Sequence, residues 1–331
     1  MGRMLAVYSA DEVHAALPWD ELVDALAHGF AQGAQVPVRH AHALDTEPGG
    51  DAGGTLLLMP AWSAHALGVK LVTVMPGNAA RGEGTVQASY LLFDRRTGVP
   101  RALIDGEALT VRRTAAASAL AARHMARADA RELLLVGAGR LAGWMAQAHV
   151  ALRPQLARVR VWARRAEAAE VLVQSLRAAG LPLTVEPAPA LEAAVRAADI
   201  VCCATTSSVP IVRGAWLAPG THLDLVGGFR PDMREVDDEA VTLSRVGVDT
   251  RTGALAEAGD LVQPLRAGRI APPHVVAELA EMVRGEVAVR RNPDDITLFK
   301  SVGTALEDLV AAEAVVRPRA PRGPDGDARK A

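Results

Sequence analysis

An apolar run, Glu132-Leu133-Leu134-Leu135-Val136, passes directly into Gly137-Ala138-Gly139-Arg140-Leu141-Ala142, and this junction restricts the fold more than any other feature. A buried strand followed at once by G-x-G-x-x-A reads as the first strand, turn and helix of a dinucleotide-binding βαβ unit. Glycines at 137 and 139 allow a tight turn and close approach of a pyrophosphate, while the helix N-terminus offers free N–H groups and partial positive charge. The bland alternative is any tight strand-to-helix turn. The downstream sequence argues against it, because strand and helix patterns keep alternating: a helix near 141–152, RVRVWA, helices near 165–179 and 189–197, then DIVCCAT and THLDLVG. That alternation predicts an α/β fold with a parallel sheet, and makes Gly137, Ala138, Gly139, Arg140 and Leu141 the expected cofactor loop.

About 20 residues beyond the loop, an NAD site would carry a carboxylate for the ribose 2′-hydroxyl. The second strand ends instead in Val161-Trp162-Ala163-Arg164-Arg165. A guanidinium pairs bidentately with a 2′-phosphate, so Arg164 and Arg165 favour NADP(H) over NAD(H); two solvated arginines at a helix start are the competing reading. Thr205, Thr206 and Ser207, after DIVCCA, and Val226 and Gly227, after THLDL, fall at strand C-terminal ends, where a nicotinamide is expected. Ordinary loop chemistry is the alternative there.

The segment before the loop has different periods. Ser9 and Glu12 form a capping-box pattern, and Leu22, Leu26 and Phe30 recur at helical spacing after Pro18, so the chain is expected to start helical. From Val38 to Ile104 short apolar runs (TLLLMP, LGVKLVTV, VQASYLLFD, PRALI) alternate with turn residues and predict an antiparallel sheet. EALTVRRTAAASALAARHMAR, 107–127, reads as one long helix linking two domains. Residues 303–315 predict a last amphipathic helix, and the tail 317–331 is expected to be disordered.

With 331 residues, 50% hydrophobic and 22% charged, the chain can bury a large core. Its 36 basic and 38 acidic residues are interleaved and nearly balanced, which gives no reason to expect nucleic acid or a membrane surface as partner. Cys202 and Cys203 are adjacent on a strand, point to opposite faces and suit a reducing cytoplasm. No segment approaches the ~20 apolar residues that span a bilayer, and the N-terminus reaches acidic residues before a signal-length apolar run. A cytoplasmic protein is expected. The nine histidines show no spacing to cysteine or carboxylate clusters that would predict a metal site.

Lys70 shares a strand face with Val72 and Val74, where burial would lower its pKa and suit it to proton donation; a snorkelling edge lysine is the alternative. Arg113 lies on the apolar stripe of the long helix and needs a partner. A substrate carboxylate fits its guanidinium, with Arg39 as a second clamp; internal salt bridges are the alternative.

The motifs LLLMPAW, GVKLVTVMPGN, YLLFDRRTGVPRALIDG, RRTAAASALAAR, LLLVGAGRLA and LFKSVGTALED together resemble the ornithine cyclodeaminase and mu-crystallin family, over residues from about 5 to 315. The resemblance implies a homodimer in which a Rossmann domain, 113–302, is inserted into an α+β domain, 1–112 plus 303–316, carrying the substrate pocket and dimer interface. It also implies roles: Lys70 matches the catalytic lysine, Arg39 and Arg113 match the arginines that grip a substrate carboxylate, and Thr85 matches a pocket-lining position. The sequence departs from the cyclodeaminases at Phe229, where they carry an aspartate. A phenylalanine can neither accept a proton nor pair with an amine. Asp232 is a conceivable substitute, although the intervening Arg230 and Pro231 favour a helix-leading cap. The GxFRPDMREVD version resembles the dehydrogenase branch. The expected activity is therefore NAD(P)H-dependent reduction of a small imino acid such as Δ1-pyrroline-2-carboxylate. Ornithine cyclodeamination, an open-chain amino-acid dehydrogenase and a non-catalytic ligand-binding protein are the rivals.

Overall fold

A computed structural model describes residues 5–44 and 53–317. The disorder expected of the tail therefore falls, beyond Arg317, outside the described residues. The first half runs β1 (Ala6–Tyr8), α1 (Ala10–Ala16), α2 (Trp19–Gln32), β2 (His40–Ala43), β3 (Thr55–Trp62), β4 (Ala66–Val74), β5 (Val86–Asp94), β6 (Pro100–Asp105) and α3 (Gly106–Met125). Its six strands lie in the order β1-β6-β5-β4-β3-β2, antiparallel from β2 to β6, with β1 parallel to β6. The described residues thus open on a strand and not on a helix. Three residues are too few to show a period of two, so β1 left no signal. The Ser9–Glu12 capping box does form and opens α1.

Asp105 caps α3 by accepting from the amides of Glu107 and Ala108. Alanines along this helix present little bulk, so both sheets and their helices pack closely on it, and one hydrophobic core runs through it from Val13 to Val315. The sequence-based division at 112/113 falls inside this continuous helix.

The second half continues β7 (Glu132–Val136), α4 (Arg140–Leu152), β8 (Arg158–Trp162), α5 (Ala166–Ala178), β9 (Thr184–Pro187), α6 (Leu191–Arg196), β10 (Ile200–Cys203), β11 (His222–Leu225), α7 (Asp238–Leu243), β12 (Arg245–Val248), α8 (Arg251–Glu257), α9 (Gly259–Arg266), β13 (Val275–Glu278), α10 (Leu279–Val283), β14 (Thr297–Lys300) and α11 (Ala305–Val316). Eight parallel strands lie in the order β13-β12-β14-β11-β10-β7-β8-β9. The chain leaves β7 towards β8 and β9 and then crosses back to β10. This places the topological switch point, where such sheets bind ligands, between β7 and β10. Cys202 and Cys203 are unbridged and belong to cores on opposite faces of this sheet.

The last helix is not amphipathic in the ordinary sense. α11 returns to the first sheet and is covered on most sides, with Glu307 and Asp308 fully buried. Their polar appearance in the sequence marks ion pairing inside the protein, not a solvated face. Among the described residues no helix is long and apolar enough to cross a membrane.

Candidate active site

Lys70 stands on β4 opposite Met59 of β3 and Tyr90 of β5, on the sheet face that α11 covers, and is only 4% exposed. Its Nζ lies 2.8 Å from Asp308 Oδ2. Arg113, from α3, donates through Nε to Asp308 Oδ1 at 3.0 Å and through Nη1 to Glu307 Oε2 at 2.6 Å. The internal ion pairs weighed as the alternative for Arg113 and Arg39 are therefore present. Arg39, a third exposed, pairs with Glu257 at 2.9 Å.

Burial pushes the Lys70 ammonium below its usual range, with Asp308 pulling it back and Arg113 pushing it further down. Burial raises the Glu307 carboxyl to about 8 against the pull of Arg113, and Asp249 and Asp308 add to the rise. Burial likewise acts to raise Asp308, but Lys70 and Arg113 overrule it and hold it low. With Glu307 raised to about 8, Asp308 is left as the main anion between Arg113 and Lys70, and a buried site so short of negative charge suits an incoming carboxylate.

These groups open onto a cavity of about 450 Å³. Lys70, Arg39 and Arg113 line one side. Gly139, Arg140 and Leu141 of the glycine loop, with Thr205, Thr206, Val226 and Gly227 of the strand-end loops, line the other. Gly137 has φ 113°, and a Cβ there would meet the Ala204 carbonyl oxygen at 2.6 Å. A Cβ at Gly139 would meet nothing, and as N-cap Gly139 supplies no side-chain acceptor for the first amides of α4. An open approach to helix N–H groups left without a side-chain cap is what a pyrophosphate requires, so these residues fit a dinucleotide. Arg140 is ion-paired to Glu107 and ties the start of α4 to the start of α3.

The remaining expected site residues lie outside the lining. Thr85 immediately precedes the cavity-lining Val86, and its carbonyl accepts from the amide of Met75. Gly137 and Ala138 immediately precede the lining Gly139, and the Ser207 hydroxyl donates to the Val209 carbonyl at 2.6 Å. Arg164 and Arg165 are exposed at the C-terminal end of β8. Phe229 lines the cavity, and Asp232 turns away to pair with Arg230. Asp232 caps no helix. The first helix after it, α7, is capped by Asp237.

Sequence reasoning missed Glu307 and Asp308. Their signal was an adjacent acidic pair inside an otherwise apolar helix. It also missed a buried cluster in which Asp224 bonds His149 at 2.9 Å and Ser118 at 2.9 Å, with Cys202 Sγ at 3.6 Å. His149, Cys202 and Asp224 are close enough to share an ion, a proximity that chain spacing did not reveal; the 2.9 Å contacts are hydrogen-bond distances.

A parallel sheet whose glycine loop shares a cavity with a buried lysine and arginine of a second sheet defines a two-domain dinucleotide-binding protein with a substrate domain. The chain belongs to the ornithine cyclodeaminase/mu-crystallin family, whose model matches residues 4–322. It is 39% identical over 302 residues to a Delta(1)-pyrroline-2-carboxylate reductase of Paracoccus denitrificans, covering 91% of this chain and 93% of that one. The Delta(1)-pyrroline-2-carboxylate reductase of Thermococcus litoralis, solved with NADH and L-proline, superposes with a TM-score of 0.86 at 33% identity, over 94% of this chain and 96% of that one. An archaeal alanine dehydrogenase dimer with bound NAD gives 0.84 at 28% identity, over 94% of each chain.

Proposed function

We propose that this chain is an NAD(P)H-dependent reductase of small cyclic imino acids, turning a substrate such as Δ1-pyrroline-2-carboxylate into the cyclic amino acid. The observation that carries the reading is the single cavity that the glycine loop shares with Lys70 and Arg113. The two reductases described above are named for the same reaction.

A reduced nicotinamide supplies hydride to the C=N carbon when bound, and positioning does much of the rest. Arg113 binds the substrate carboxylate, with Arg39 as second clamp once it leaves Glu257. Lys70 delivers the proton that the imine nitrogen needs, and Asp308 aims its ammonium. Leu57, Met59, Val72, Val86 and Ala88 form an apolar wall suited to a hydrocarbon ring. Phe229 stands in the same cavity without the carboxylate that cyclodeamination would use on a second amine.

Three finer points belong to the same proposal. Arg164 and Arg165, exposed where β8 ends and without a carboxylate in their place, support NADP(H) over NAD(H). Val7, Leu103, Leu91, Val69 and Pro60 form an apolar row across five strands on the sheet face away from α11, and this supports a homodimer built on that face. The unbridged Cys202 and Cys203 suit a reducing cytoplasm.

The test is consumption of NADPH or NADH by purified protein with Δ1-pyrroline-2-carboxylate or its six-membered homologue. Turnover is expected. Ammonia release from ornithine with no net consumption of reduced cofactor would replace the proposal with cyclodeamination.

A further inference from the structure

Beyond the substrate site, a second buried ionic cluster holds the floor of the cofactor half of the cavity. The ladder between β10 and β11 ends with the Val226 amide donating to the Cys203 carbonyl at 3.0 Å. Past that point the two chains are bridged by one side chain. Glu235 Oε1 accepts from the Thr205 amide at 2.7 Å and the Thr205 hydroxyl at 2.9 Å. Its Oε2 accepts from the Gly227 amide at 2.8 Å. The loops approach so closely that a Cβ on Gly227 would lie 1.9 Å from the Thr205 carbonyl oxygen. Both Thr205 and Gly227 line the cavity.

Glu235 is itself fixed from behind. Asp260 Oδ1 accepts from the amides of Glu235 at 2.7 Å and Val236 at 3.1 Å. Lys300 Nζ, at the end of β14, lies 3.1 Å from Asp260 Oδ2 and 3.9 Å from Glu235 Oε2. All three side chains are fully buried. Burial pushes the Glu235 carboxyl up, and Lys300 pulls it back. A cluster this dry is expensive to keep unless its charges are answered, and here Lys300 faces Asp260 while the Thr205 and Gly227 amides face Glu235.

We propose that Glu235 is a positioning residue that sets the spacing of the two strand-end loops receiving the nicotinamide end of the dinucleotide, with Asp260 and Lys300 holding it in place. This rests on the function proposed above. The glycine loop after β7, which would receive the adenine and pyrophosphate end, meets this pair of loops through Gly137 against Ala204 and Thr205 and is not bonded by Glu235, so Glu235 bears mainly on the nicotinamide half.

The test compares affinities of the holo-competent protein for whichever of NADH and NADPH it binds, by nicotinamide fluorescence, and for the ADP-ribose portion of that cofactor, by calorimetry. Glu235→Gln keeps the shape but sets an NH₂ group against a loop amide. It is expected to weaken the reduced cofactor roughly tenfold and leave the ADP-ribose portion unchanged, because a buried amide loses its acceptor. Asp260→Asn, whose side chain bonds to the amides of Glu235 and Val236 rather than to Thr205 or Gly227, is expected to shift the same ratio in the same direction and serves if Glu235→Gln does not fold. Equal loss for both ligands, or no loss for either, would overturn the inference. Failure of the unmodified protein to bind NADH or NADPH would instead remove the proposed function, and this inference with it.

Discussion

Asp308 holds Lys70 Nζ at 2.8 Å with one oxygen and Arg113 Nε at 3.0 Å with the other. A single carboxylate near the end of the described chain thereby fixes a lysine from the first sheet and an arginine from the linking helix. Asp308→Asn would leave both cations short of charge in a dry site, at a cost on the order of 3–5 kcal/mol of stability. It would also remove the main group that raises the Lys70 pKa. Activity that needs the ammonium should then fail at lower pH than in the parent. A pH–rate profile with an unmoved basic limb would contradict this role.

Glu307 predicts a pH dependence of stability. Its folded carboxyl titrates at about 8 against an ordinary value of 4.5. A raised folded pKa means that the native state holds a proton the unfolded chain has released. This stabilising contribution is complete below the unfolded value, shrinks as pH rises between the two and is gone above about 8. Unfolding free energies from denaturant titrations should therefore fall over that range, by several kcal/mol at most. Glu307→Gln should flatten the dependence, and an unchanged slope would show that Glu307 is ionised throughout.

The pair that organises the site was the least legible part of it. Lys70, Arg113 and the glycine loop announce themselves by local pattern, a cation on an apolar face or glycines after a strand. Glu307 and Asp308 do not, because Arg113 lies 194 to 195 residues before them and Lys70 farther still, and a helix period reads an acidic pair as solvated. Glu235, Asp260 and Lys300 were hidden for the same reason. The parallel sheet was legible at β7, β8, β10 and β11, where apolar runs alternate with helix patterns. The edge strand β9, the strands β12 to β14 and the three-residue β1 owe their pairing to tertiary context.

Arg164 and Arg165 give the account of cofactor choice its test. Replacing both by alanine should raise KM for NADPH roughly tenfold or more and leave NADH unaffected, since a charge-assisted contact to a phosphate is worth about 1.5–3 kcal/mol. Equal kinetics with NADPH before and after would assign the arginines to solvent.

The apolar row on the first sheet predicts the assembly. Leu91→Asp places a carboxylate in the middle of that row, between Val69 and Leu103. Light scattering should give a dimer for the parent and a monomer for the variant, with the fold retained by circular dichroism. A monomeric parent, or a variant that stays dimeric, would put the interface elsewhere or nowhere.

Imino-acid-dependent oxidation of reduced cofactor, followed in the parent and in Lys70→Met, decides whether this chain is a reductase that uses Lys70. Rapid turnover of a cyclic imino acid by the parent is expected. The variant should lose roughly 100-fold or more, the size expected for a missing general acid, with cofactor affinity unchanged. A variant as active as the parent would contradict the role of Lys70, and a parent inert towards every cyclic imino acid would contradict the function itself.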